Sequence, residues 1–298
     1  MSKLIFILLL FISGVVSAQN LPKVASGKIV RIENFKSDYV SPRNIDIWLP
    51  EGYNSGEKYS VVYMHDGQML FDSTQTWNKK EWQADEVFSQ LISEKKTAPF
   101  ILVGIWNTPD RITEYFPNKI FEALEPGLQK QISEKYGNGK TANGNNYLKF
   151  IVKELKPFID KNYNTLSVMK KTVIDGSCMG GLISVYTIAE YPDIFGKAAS
   201  ISTAWLSFIE PNYAMPAAIF QYLVNNLPLA SEHKIYMDYG TGESDKNYEL
   251  TQSFIDLIAK GKGYNDSNYK SMVFEKAVHD EVAWSKRLDI PFTFLLGK

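Results

Sequence analysis

The sequence predicts an α/β fold, a mostly parallel central sheet with helices on both faces. Three observations carry that prediction. "YSVVYMHD" and "FILVGIW" are dense apolar runs of the kind found in strands covered on both sides. From the middle of the chain onward, strand-like and helix-like segments alternate at the spacing of crossover units. "VIDGSCMGGLIS", Val173 to Ser184, passes from a β-branched apolar run through a glycine-flanked turn into a helical pattern. Right-handed crossovers would bring every parallel strand's carboxyl end to one edge, where such sheets bind ligands.

The elements follow in order. "KIVRIENF" and "NIDIWLP" have the pattern of early antiparallel strands, ahead of the two dense runs. "NNYLKFIVKELKPFIDKNY" repeats apolar residues at helical spacing. "KTVIDG", "KAASIST", "KIYMDYG" and "YKSMVFEKAV" predict four further strands. Between them "MGGLISVYTIAEY", "AAIFQYLVNNL" and "NYELTQSFIDLIAKGKG" predict helices, the last with a glycine stop. "AWSKRLDIPFTFLLG" predicts a final helix interrupted or bent near Pro291. The long polar stretch from Asn107 to Asn145 is expected to form a cap or binding loop.

Composition narrows the class. Residues 1–18 are expected to be a signal peptide: Lys3, an apolar run from Leu4 to Val16, then small residues up to Ala18. Cleavage there leaves residues 19–298 as one exported α/β domain without a stable membrane anchor. A net charge of −1 offers no footprint for nucleic acid. One cysteine and three scattered histidines give neither an internal disulfide nor a zinc site, so no metal or cofactor is expected. Nothing in the sequence specifies an oligomeric state.

The chemistry centres on Gly176-Ser177-Cys178-Met179-Gly180. A nucleophile elbow needs small residues two before and two after the reactive one, because strand and helix backbones crowd there. Gly176 and Gly180 fit around Cys178, whereas Asp175 and Met179 would crowd Ser177, so Cys178 is the candidate nucleophile. In this arrangement an acid and a histidine follow in that order. His279 directly follows a strand at the ligand-binding edge and is the candidate base. His233 starts a strand, at the opposite edge, and is expected to be a surface histidine. Glu243 and Asp245 both lie in the turn after "KIYMDYG", and Glu243 is preferred as the acid. Met179 and the loop at Gly67 and Gln68 are candidates for oxyanion-stabilising N–H groups. His65 is expected to order its loop. Trp82 and Trp284, with Trp77 and Trp106, fall near strand or loop ends where rings could stack on a sugar or phenolic acyl group. Arg111 is expected either to hold a substrate carboxylate or carbonyl, or to pair with Glu114.

"YMHDGQMLFD", "VGIWNTPDRITEYFP", "LKPFIDKNY", "GSCMGGLISVYTIAEYPDIFGKAASIST", "YGTGES" and "HDEVAWSKRL" together resemble the esterase D-like putative esterase family of α/β-hydrolases. That family includes feruloyl and acetyl xylan esterases, enterochelin-type siderophore esterases, S-formylglutathione hydrolase and secreted mycolyltransferases. The resemblance covers most of the chain from about Lys28. It implies an α/β-hydrolase fold and assigns the nucleophile's place to Cys178, the base to His279, the acid to Glu243, and the oxyanion role to Met179 with Gly67 and Gln68. Arg111, Glu114 and Tyr115 match the family's R-x-x-E-Y segment, which adds Arg111 and Tyr115 to the substrate-binding candidates.

One position departs from the family, which carries serine where Cys178 stands. A thiol beside a histidine is a competent nucleophile. The expected activity is therefore ester hydrolysis through an acyl-enzyme, on acylated carbohydrates or siderophore esters, with a small-molecule or oligosaccharide ester as partner. The alternatives are an impaired homologue serving as a binding scaffold, an acyltransferase of the same fold, a serine-to-cysteine trap, and a merely packed small residue.

Overall fold

The structure, a computed structural model, describes residues 20–205 and 213–297. The expected signal peptide lies outside the described residues. Eight strands form one sheet in the order β1-β2-β4-β3-β5-β6-β7-β8. They are β1 (Lys28–Phe35), β2 (Arg43–Leu49), β3 (Ser60–His65), β4 (Phe100–Ile105), β5 (Thr172–Ser177), β6 (Lys197–Ile201), β7 (Lys234–Gly240) and β8 (Tyr269–Phe274). β1 pairs antiparallel with β2, and β2 antiparallel with β4, as the early strands predict. The other pairings are parallel. The carboxyl ends of β3 to β8 therefore share one edge.

Helices cover both faces. They are α1 (Ala84–Ser93), α2 (Arg111–Glu114), α3 (Asn118–Glu122), α4 (Pro126–Tyr136), α5 (Gly144–Phe150), α6 (Lys156–Asn162), α7 (Met179–Glu190), α8 (Ala214–Asn226), α9 (Glu249–Gly261), α10 (Glu281–Ser285) and α11 (Asp289–Leu296). Strand alternation splits the core between the faces. Val61 and Tyr63 of β3 pack with Phe116, Tyr147, Leu182 and Ile219 on one side. Val62 and Met64 pack with Trp82, Phe88, Trp284 and Phe292 on the other. Every residue of β4 and all but the first of β3 are buried, which is why those segments read as dense apolar runs.

Two segments differ from the sequence's indications. The helix expected across 145–163 passes through a π-helical turn, Ile151–Leu155, before Pro157, which has no N–H to donate. The last helix breaks between Ser285 and Asp289 rather than at Pro291, which sits in the first turn of α11, where a missing N–H costs nothing. The stretch 107–145 holds three short helices, α2 to α4, and buries Tyr115, Phe116, Ile120, Phe121 and Leu124. It is a packed cap.

The loops after β7 and β8 interlock. Thr241 N–H donates to Phe274 O at 3.0 Å and Gly242 N–H to Ala277 O at 2.9 Å. A methyl group on Gly240 would collide with the Ala277 carbonyl oxygen. Gly240→Ala is expected to lower the free energy of unfolding in urea by about 3 kcal/mol, because backbone must move to relieve the overlap.

Candidate active site

Strained backbone marks the ligand-binding edge. Asp66 after β3 (φ 57°), Cys178 after β5 (φ 57°), Ser202 after β6 (φ 43°) and Glu243 beyond β7 (φ 48°) all adopt left-handed φ without being glycine. Each such residue costs roughly 1–3 kcal/mol and persists only where its surroundings over-determine it. Cys178 is so held. Its N–H donates to Ile201 O at 3.0 Å, and its carbonyl accepts from Leu182 and Ala204 N–H at 3.1 Å each. A methyl on Gly176 would lie 2.8 Å from the Gly180 carbonyl carbon and 2.9 Å from His65 Cδ2. The glycine frame thus puts Cys178 at the apex between β5 and α7, and Ser177 stays buried as the last residue of β5.

His279 lies in the loop after β8, and its Nδ1–H donates to Asp245 Oδ1 at 2.5 Å. The second Asp245 oxygen accepts from Gly240 N–H at 3.0 Å. This corrects the sequence preference for Glu243. The left-handed turn at Glu243 leaves that side chain exposed, while the following 3-10 turn, Asp245–Asn247, carries Asp245 inward to full burial. "YGTGESD" offered two acids two residues apart, and only the turn geometry separates them.

The charges reinforce one another. Burial works against a charged His279, but its hydrogen bonds to Asp245 and Cys178 outweigh that and raise its pKa to about 10. Burial pushes the Cys178 thiol up. The hydrogen bond to His279, the positive charges of His279 and Arg111, and the Met179 N–H together bring it below its ordinary value. Burial likewise opposes a charged Asp245, and the His279 hydrogen bond overrides it. All three shifts run toward the charged forms: thiolate, imidazolium and carboxylate. Tyr248, missed by the sequence reading, packs edge-on to His279 at 6.5 Å between ring centres.

Two of the four tryptophans proposed for substrate stacking are buried, Trp82 at 2% and Trp284 at 5% exposure. They stack on each other at 5.2 Å, and Trp284 meets His279 edge to face at 5.0 Å. Their part is to back the imidazole, because both rings lie under the edge instead of on it. Trp284 Nε1–H donates to Ser202 Oγ at 3.0 Å, and Arg287 donates to the same oxygen at 2.9 Å while pairing with Asp238.

The β3 loop carries Gly67 and Gln68 in a 3-10 turn opened by Asp66. N–H groups at the start of such a turn, and that of Met179 at the start of α7, have no intrahelical acceptor. They are the donors that could meet an oxyanion. Gly67 is required for close approach to β4 and not to a ligand: a methyl there would sit 2.5 Å from the Gly104 carbonyl carbon. Gln68 Oε1 accepts from Asn107 N–H at 3.1 Å.

The R-x-x-E-Y residues fasten the cap to this loop. Arg111 donates to both Asp66 oxygens at 2.7 Å, replacing the expected Arg111–Glu114 pair. Glu114 instead takes Arg43 at 2.7 and 2.9 Å. Tyr115 is fully buried, its hydroxyl accepting from Asp66 N–H and donating to Asp66 Oδ1, both at 3.2 Å. Its burial removes it from direct substrate contact; Arg111, still partly exposed, keeps that possibility. His65 is buried and bonded to the Tyr147 hydroxyl at 2.8 Å, in keeping with a structural role. Burial, with the nearby guanidinium groups of Arg111 and Arg43, overcomes Asp66 and lowers its pKa to about 3. His233 is buried too, its Nε2–H donating to Pro192 O at 3.0 Å, not the surface residue its polar neighbours suggested.

The family model described as "Putative esterase" matches residues 39–293. The chain belongs to that esterase family. The uncharacterized protein YbbA of Bacillus subtilis is 23% identical over 86% of this esterase and 93% of its own length. The endo-1,4-beta-xylanase/feruloyl esterase of Xylanibacter ruminicola is 20% identical over 88% of this chain, which spans 30% of that protein. Among solved structures, an IroE-like serine hydrolase from Shewanella oneidensis superposes with a TM-score of 0.68 at 20% identity, covering 90% of this chain and 80% of its own. A ferulic acid esterase from Anaeromyces mucronatus, in complex with ferulic acid, gives 0.60 at 18% identity over 93% and 94%. The enterobactin esterase FES from Shigella flexneri gives 0.65 at 16% identity over 92% and 60%. No helix among the described residues of the esterase is long and apolar enough to cross a membrane, and none of their side-chain clusters suits a metal ion.

Two measurements follow from this geometry. Iodoacetamide should alkylate Cys178 at pH 6 faster than it alkylates an ordinary thiol, in the native chain and in Glu243→Gln. Asp245→Asn should slow it roughly tenfold for each unit by which the thiol pKa rises, and His279→Ala further still. A folded pKa below the unfolded one makes neutral His65 a source of stability present above about pH 6.5 and lost as pH falls toward 3. The unfolding free energy should therefore drop by about 1.4 kcal/mol per pH unit below pH 6 through this group. In urea titrations, His65→Gln should abolish that share of the slope.

Proposed function

We propose that this esterase hydrolyses carboxylic esters through a thioester on Cys178. The Cys178 thiolate attacks the acyl carbonyl carbon, and the negative charge passes to the carbonyl oxygen. That oxygen meets the N–H of Met179 and of Gly67 or Gln68. The tetrahedral intermediate collapses, the carbon–oxygen bond to the alcohol breaks, and the His279 imidazolium gives the leaving oxygen its proton from Nε2. Water then attacks the thioester, losing a proton to His279; the acid departs and the thiolate is restored beside the imidazolium. Asp245 keeps Nδ1 protonated and the ring aimed. The observation that carries this reading is the Asp245–His279 hydrogen bond, with His279 holding the Cys178 thiol pKa below its usual value.

Relatives named for feruloyl and enterobactin esters support an ester of an aromatic or related acid as substrate class. Acylated carbohydrate is the first choice and a siderophore ester the second. We place the reaction outside the cytoplasm, after removal of residues 1–18, in a chain that works as one domain from residue 19.

Hydrolysis of p-nitrophenyl acetate tests the mechanism. Cys178→Ala and His279→Ala should each lose about a thousandfold or more in kcat, and Asp245→Asn about a hundredfold or more. For the native chain, kcat/KM should stay on a plateau through neutral pH and fall near pH 10, where His279 loses its proton. A native chain no faster than Cys178→Ala, alongside an active Cys178→Ser, would make it a disabled serine esterase. Preferential transfer to an added sugar over water would make it an acyltransferase.

A further inference from the structure

Trp77 is 83% exposed. A single exposed apolar side chain is ordinary on a protein surface; the way this one is held sets it apart. Thr76 beside it is buried, its hydroxyl donating to Ser73 O at 3.1 Å. Lys79 adopts a left-handed backbone (φ 58°) and its ammonium donates to Thr74 O at 2.8 Å. Lys80 N–H donates to Asn78 Oδ1 at 3.1 Å. The resulting turn is tied to the segment that follows His279. Asn78 Nδ2 donates to Glu281 Oε2 at 3.0 Å, and the Lys80 ammonium pairs with Asp280 at 2.7 Å. Asp280 is itself fixed as the cap of α10, accepting from Ala283 N–H at 2.8 Å. A turn anchored at its base therefore displays an indole at the rim on the His279 side.

The reaction chemistry decides which part of a substrate passes that rim. His279 donates its proton to the leaving oxygen, so the alcohol portion of the ester leaves the reacting carbon toward His279 and the residues beyond it. The surface it meets there carries a flat apolar ring and, on the next residue, the Asn78 amide bonded to the Glu281 carboxylate. A pyranose has matching parts, an apolar face of C–H groups and a rim of hydroxyls. We propose that Trp77 is a stacking platform for the glycosyl portion of the substrate, with Asn78 and Glu281 as hydrogen-bonding partners for its hydroxyls. The proposal rests on the ester-hydrolase reading and deepens it by naming the residues that hold the carbohydrate alcohol.

Calorimetric titration of the Cys178→Ala chain with xylohexaose tests it without turnover. Binding should be measurable, should weaken about tenfold when Trp77→Ala is added, and should be largely kept in Trp77→Phe. The Trp77→Ala unfolding midpoint in urea should match that of its parent, since the ring is exposed. On acetylated xylohexaose, Trp77→Ala in the native background should raise KM about tenfold with little change in kcat. Absence of xylohexaose binding, or equal affinity with and without the indole, overturns the platform. Retained, Trp77-dependent binding by a native chain that turns over no ester would instead leave the platform standing and sink the hydrolase reading.

Discussion

The hydrogen bond from His279 to Asp245 is the interaction on which the rest of the site depends. It joins loops that follow different strands, β7 and β8, and it operates where burial works against charge on both partners. A buried carboxylate and a buried imidazole are each costly alone and tolerable only together. Their pairing keeps a positive charge beside Cys178, which makes a thiolate favourable at a position that burial alone would keep protonated. The interlocked backbone at Gly240, Gly242 and Ala277, and the Trp82–Trp284 stack behind the ring, are the scaffolding that keeps this bond short.

A second polar assembly holds the other side of Cys178. Arg111 and Tyr115 reach from the cap to Asp66, and Arg43 reaches Glu114 from β2. The cap is thereby fastened to the loop that carries Gly67 and Gln68, and a guanidinium stands within electrostatic reach of Cys178. The residues of one short motif, R-x-x-E-Y, face two partners in different elements, the acceptor Asp66 and the donor Arg43. Their value lies in joining the cap, β2 and the β3 loop into one rigid wall.

Much of this was legible in the chain itself. The dense apolar strands, the glycine-flanked elbow and the histidine after the last strand all have local causes: two-sided burial, backbone crowding and chain order. Asp245 was not separable from Glu243, because both sit in one polar turn and only the left-handed residue at Glu243 decides which side chain turns inward. Trp82 and Trp284 were misassigned for a related reason. Position near a strand end says that a ring is close to the edge, not whether it lies above or beneath it. Arg111 and Glu114 look like natural partners at a spacing of three, yet each found a better-placed partner more than forty residues away.

The sequence by itself determined the layered α/β architecture, the parallel edge where the candidate site lies, and the placing of Cys178 at the elbow and of His279 after the last strand. These follow from periodicity and from the glycines that crowded backbone demands. Tertiary structure alone decided the acid, the ion-pair partners and the depth of each aromatic ring. Those depend on which side chains the folded backbone brings within hydrogen-bonding distance, and distance in space is what a linear pattern does not encode. The same holds for Trp77. Nothing in its local sequence distinguishes it from the other tryptophans, and its place at the rim is set by bonds to residues that follow His279.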